Sequence, residues 1–119
     1  MKQFKIINAY QFINTLSEND KLSYDTLWNL FQLKKLLQPH VDFFNEQLEK
    51  LKSKYLPKAD ENGTIEGETL VAYQNDISEL SNMDKEIEIK KFTLKLKETP
   101  GLTLKAMDAL EDFVEFEKE

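Results

Sequence analysis

The chain lacks cysteine and arginine, and it has one histidine, three glycines and three prolines among 119 residues. Without cysteine there can be no disulfide, no thiolate metal site and no cysteine nucleophile. Without arginine, the residue best suited to bidentate recognition of phosphate, carboxylate or guanine is missing. That disfavours direct, specific nucleic-acid binding, although AT-rich coding sequence produces the same replacement of Arg by Lys. Few glycines and prolines leave little material for long loops. No stretch approaches the roughly 20 apolar residues that span a bilayer. The opening residues, Met1-Lys2-Gln3-Phe4-Lys5-Ile6-Ile7, carry neither a long apolar run nor a small-residue cleavage pattern. A secretory leader is therefore not expected there, and the expected location is the cytoplasm.

What is present is charge and aromatic side chains. Charged residues make up 32% of the chain and the net charge is −6, which suits extensive exposed helix surface. Eight Phe, four Tyr and one Trp are enough for a modest core in one domain spanning residues 1–119.

The longest periodic segment runs from Ser23 to Leu56. Ser23 suits an N-cap, and Asp25 in the first turn complements the helix dipole. Leu22 and Leu27 fit a hydrophobic staple. Leu37, Val41, Phe44, Leu48, Leu51 and Tyr55 recur at helical spacing. A second strip, Trp28, Phe31, Leu33 and Leu36, makes the first half apolar over more than one face, and that half is expected to be buried. Pro39 either divides the segment into two helices or kinks a single one. The phase kept from Leu37 to Val41 favours the kinked continuous helix. Beyond it, a charged arm surrounds a narrow seam and ends at Pro57. Asp60-Glu61-Asn62-Gly63 is a turn signature. A second helix is then expected from about Thr69 to Asn82, its inward set either Leu70, Tyr73, Ile77 and Leu80 or Leu70, Tyr73, Gln74, Ile77 and Ser81. Laid back along the arm, it would form a projecting helical hairpin over residues 40–82.

Strand signals flank this hairpin. Phe4–Ile7 is short and β-prone, followed by a short helix Ala9–Leu16. Ile87 and Ile89, then Phe92, Leu94 and Leu96, alternate with polar residues, with a phase slip at Lys90-Lys91 that a β-bulge would absorb. A small antiparallel sheet pairing these segments with Phe4–Ile7 is expected. Thr103 caps a last helix whose apolar face is Leu104, Met107, Leu110, Phe113 and Val114. Its other side is acidic through Glu119. The expected class is mostly helical α+β.

No constellation points to a reaction. His40 has no second imidazole or thiolate to share a metal, and Asp42 is poorly placed on a helix to help it. Asp60, Asn62, Gly63 and Ile65 resemble the middle of an EF-hand loop, but Lys58 and Thr69 stand where both end carboxylates are required. The scattered glycines form no phosphate-cradling loop. Lys90, Lys91, Lys95 and Lys97 read as edge-strand lysines that deter aggregation. The expectation is therefore a non-enzymatic protein with no cofactor, no metal and no small-molecule substrate.

The motifs Leu36-Leu37-Gln38-Pro39, Lys54-Tyr55, Asp60-Glu61-Asn62-Gly63, Glu79-Leu80, Glu86-Ile87-Glu88-Ile89 and Leu102-Thr103 through Val114 stand in one order over most of the chain. In that pattern it resembles a group of small phage and prophage proteins, most without assigned function. The resemblance implies a role in phage assembly or host interaction. Two contact surfaces are expected. Val41, Phe44, Leu48 and Leu51 would form a packing seam that supports a homo-oligomer or binds a phage or host protein. Alternatively, Glu111, Asp112 and Glu115 on the acidic last helix would inhibit a host protein that acts on nucleic acid.

Overall fold

In the computed structural model, the structure describes residues 1–58, 61 and 63–118. Four helices make most of it: α1 (Gln3–Leu16), α2 (Tyr24–Tyr55), α3 (Gly67–Ser81) and α4 (Leu104–Leu110). Two short strands, β1 (Phe92–Lys95) and β2 (Val114–Glu117), complete it, within an elongated shape of 55 × 29 × 19 Å.

The 32-residue α2 organises the molecule. Its start follows from the capping chemistry: the Ser23 hydroxyl accepts from the Thr26 amide at 3.3 Å, and Asp25 lies in the first turn. Lys52 and Lys54 occupy its last turn, where positive charge is favoured. The helix continues through Pro39. Pro39 and Lys35 are both exposed, so water can reach the Lys35 carbonyl that loses its amide donor.

The core lies where α1 crosses the first half of α2. Ile6, Ala9, Ile13 and Leu16 of α1 meet Leu30, Leu33, Leu37 and Val41 of α2. Leu94 of β1, with Leu110, Phe113 and Val114, closes the cluster. The Gln3 amide ties the two helices beside the proline, donating to the His40 carbonyl at 2.8 Å.

Four expectations are corrected. Phe4–Ile7 is the first turn and a half of α1, not a strand. Gln3, Ile6, Ala9, Ile13 and Leu16 form one continuous buried helical face, and burial of that face overrides the β-propensity of two isoleucines. The sheet is parallel, with Phe92 opposite Val114 and Lys95 opposite Glu117. The two strands are joined through α4, and such a crossover is what a parallel pair requires. Ile87 and Ile89 pack against the core from an irregular segment that joins no strand among the described residues; just before it, Asp84 makes a single antiparallel bridge with Lys2. The last helix also stops at Leu110 rather than running to Glu119. Phe113 and Val114 are pulled into the core, and the chain leaves helical geometry to pair with β1.

The second half of α2 carries α3. The Tyr55 hydroxyl donates to Asp76, and its ring meets Tyr73 edge-on at 4.9 Å. At the other end of the contact, the Lys85 ammonium lies 3.9 Å from the centre of the Phe43 ring. α3 therefore runs antiparallel to the second half of α2. The Asp60–Gly63 turn expected at its tip includes residues outside those described, so the EF-hand-like likeness there is outside them as well.

Candidate protein-contact surface

Successive helical residues advance by about 100° around the axis. On α2 the buried residues Leu30, Leu33 and Leu37 share one side, and Phe44, Leu48, Leu51 and Tyr55 continue it in phase. Tyr24, Trp28, Phe31 and Lys35 lie on the opposite side. Tyr24 is 91% exposed, Trp28 58% and Phe31 48%. The expectation that this half would be buried is thus overturned for Trp28, Phe31 and Leu36, while Leu33 is buried. One helix can press only one side against α1, and the leucine side fills that contact.

The ridge is ordered by its own contacts. The rings of Trp28 and Phe31 stack with centroids 5.5 Å apart. The Lys35 ammonium lies 5.3 Å from the centre of the Phe31 ring, a cation–π distance. Leu27 is half-buried and lines a shallow depression with the three aromatics. Beside the ridge, a groove of about 470 Å³ separates α2 from the segment before β1. Its walls include Gln32, Leu36, Glu88, Lys90 and Lys91. Of the four lysines expected on an edge strand, Lys90 and Lys91 precede β1 and line this groove, Lys95 ends β1, and Lys97 lies in the turn after it.

The base of the ridge is held by Glu98. Its carboxylate accepts from the Ser23 backbone amide at 2.8 Å and from the Thr26 hydroxyl at 3.1 Å. These bonds, led by the one from the Ser23 amide, hold the Glu98 carboxyl below the ordinary glutamate range. Asn19 adds a bond to the Glu98 carbonyl at 3.1 Å. The end of α1, the start of α2 and the chain after β1 are thereby locked together under Tyr24. Sequence reading found Ser23 and Asp25. It missed Glu98, which lies 75 residues from Ser23 and belongs to no local motif.

The seam residues fall into two settings. Val41 is buried in the main core. Phe44, Leu48 and Leu51 are half-buried on the core-facing side of the arm. Leu51 lines a groove with Leu80 and Met83, so α3 already lies against this side. Asp76 anchors that contact: it accepts from Tyr55 and lies 3.7 Å from Lys54. The bond to Asp76 raises the Tyr55 phenol above its ordinary value.

The acidic set is likewise divided. Glu111 and Asp112 lie in the turn after α4, and Glu115 lies on β2. Asp112 is 3.5 Å from Lys5. Glu111 and Glu115 are exposed. His40 is half-buried, and its carbonyl rather than its imidazole is what Gln3 engages. Among the described residues, no group of three or more metal-ligating side chains is placed to hold an ion, and no helix is long and apolar enough to cross a membrane.

Compared with protein-family models, curated proteins and solved structures, the chain shows no significant match. The phage-type resemblance therefore rests on the sequence motifs alone.

Proposed function

We propose that the protein works by contact with other polypeptide chains, itself included, and not by catalysis, in the phage-assembly setting that its sequence resemblance implies. The observation that carries this is the outward face of α2 at Tyr24, Trp28 and Phe31. Three large aromatics in a row on solvent are unfavourable for an isolated chain and are the composition of interface centres. They add nothing to the core, which Leu30, Leu33 and Leu37 fill from the other side. The helix that presents them is capped by Ser23 and Glu98, so the surface is rigid before any partner arrives. The half-buried side of the arm, with Phe44, Leu48 and Leu51, is the lesser surface because α3 occupies part of it.

The test is affinity capture from host cells with the wild-type chain and with Trp28→Ala/Phe31→Ala. The double variant is expected to keep its circular dichroism and lose partners that the wild type retains. An unchanged set of captured proteins would remove the ridge from the function.

A second reading concerns Glu111 and Glu115, which are exposed beside Asp112. Together they present negative charge to a basic partner such as a host protein that acts on nucleic acid. Neutralising Glu111, Asp112 and Glu115 should then abolish capture of that partner, whereas the ridge variant should not.

A further inference from the structure

We propose that the aromatic ridge of α2 pairs with the same ridge of a second copy of this chain, the two helices antiparallel about a two-fold axis. This rests on the protein-contact reading above and specifies its face and register. The ridge residues are Tyr24, Trp28, Phe31 and Lys35, at steps of four, three and four. That spacing is unchanged by reversal, so an antiparallel copy matches it position for position. Trp28 of one copy meets Phe31 of the other, and Tyr24 meets Lys35. Both are favourable pairs: aromatic on aromatic, and ammonium on an aromatic face. Lys35 already lies over the Phe31 ring at 5.3 Å, so its ammonium is held at the ridge crest. A parallel copy would set Tyr24 on Tyr24 and Lys35 on Lys35, which places like charges together.

The flank is complementary under the same rotation. About 100° round from Tyr24 stands Asp25, at the N-terminal end of the ridge. On that same flank, towards the other end, Leu36 borders the groove that holds Lys90 and Lys91. Glu88 shares that groove, leaving it a net charge of one lysine. In two-fold antiparallel pairs like flanks face one another. Asp25 of each copy is then directed at the lysine groove of the other, twice by symmetry. Past Lys35 the outward positions of α2 turn to Asp42, Glu46 and Glu49, which bounds the contact to about three turns.

The area sets the strength. The exposed parts of Tyr24, Trp28, Phe31 and Leu36 come to roughly 450 Å² per copy, or about 900 Å² for the pair, before the groove is counted. A specific interface begins at about 1,000–1,200 Å² in total. The dimer is therefore at the weak, concentration-dependent end of specific association.

The experiment is sedimentation equilibrium of the full chain over a wide concentration range, on wild type and three variants. Wild type should pass from monomer to dimer. Trp28→Ala/Phe31→Ala should weaken the dimer by about 30-fold or more, as loss of a central aromatic pair does. Asp25→Lys should weaken it several-fold, and adding Lys90→Glu/Lys91→Glu to Asp25→Lys should restore much of the loss. Circular dichroism verifies that each variant folds. A chain monomeric at all concentrations overturns self-pairing, and so does a dimer indifferent to the aromatic pair or a charge reversal without rescue. If a monomeric wild type still captures a foreign protein through Trp28 and Phe31, only the self-pairing has failed. If neither depends on the ridge, the protein-contact reading has failed with it.

Discussion

The two halves of α2 belong to one helix and share one core-facing stripe, yet their outward faces differ completely. In the second half the outward residues are Asp42, Glu46, Glu49 and Ser53, all exposed and polar, as a solvated helix face should be. In the first half the same phase carries Tyr24, Trp28, Phe31 and Lys35. The inward side varies in the opposite sense. Leu30, Leu33 and Leu37 are buried, whereas Phe44, Leu48 and Leu51 are only half covered by α3. The half with the firmer foundation thus bears the unpaired aromatics. A rigid platform loses little conformational freedom when a partner docks, which favours binding there over binding on the arm.

The comparison can be broken most strongly at the core. Leu37→Ala should cost about 3 kcal/mol of stability in urea unfolding, since a fully buried leucine leaves a cavity. Leu51→Ala, in the half-covered arm, should cost about 1 kcal/mol. Equal losses would mean that the two halves are equally packed. The Glu98 clamp comes next. Glu98→Gln should cost about 1 kcal/mol, the scale of a lost N-terminal helix contact. Because the folded-state carboxyl titrates below its ordinary range, its contribution is fully present above that range. It is lost as pH falls through the lower folded value. Stability measured against pH should therefore decline more steeply on the acid side in wild type than in Glu98→Gln.

Smaller effects sharpen the contrast. In dilute solution Trp28→Ala should change stability by no more than about 0.5 kcal/mol, because the side chain it removes faces solvent. A large loss would show that Trp28 belongs to the core after all. Smallest of all, Lys50→Gln breaks the 3.6 Å pair with Glu46 on the arm, and should alter the melting midpoint by an amount close to measurement error.

How much of this was legible in the sequence depends on the range of the interaction that decides each element. α2 and α3 were visible because caps and periodicity are local: Ser23, Asp25 and the spacing from Leu37 to Tyr55 define α2 without help. The Thr103 cap of α4 was legible for the same reason, and its hydroxyl accepts from the Ala106 amide at 3.1 Å. The end of α4 was not, since only the tertiary core decides that Phe113 and Val114 leave the helix. The sheet direction was hidden for a similar reason. Alternation marks a strand but not its partner, and the partner of Phe92 turned out to be Val114. Of the ridge, Trp28 and Phe31 were read as apolar but assigned to the interior, and Tyr24 was not singled out. Periodicity shows that two sides of α2 are apolar, but not that α1 can cover only the leucine side. Glu98 lay beyond any local pattern.

Trp28 is the one tryptophan of the chain, so indole fluorescence, excited selectively beyond the tyrosine band, reports on the ridge alone. The most direct measurement is acrylamide quenching of that emission across a dilution series. A contact surface predicts a red-shifted, readily quenched Trp28 in dilute solution, with a blue shift and protection developing as concentration rises or a partner is added. Blue-shifted emission protected at every dilution would place Trp28 inside its own fold. A Trp28 left exposed at every concentration and by every partner would leave the ridge without a contact to make.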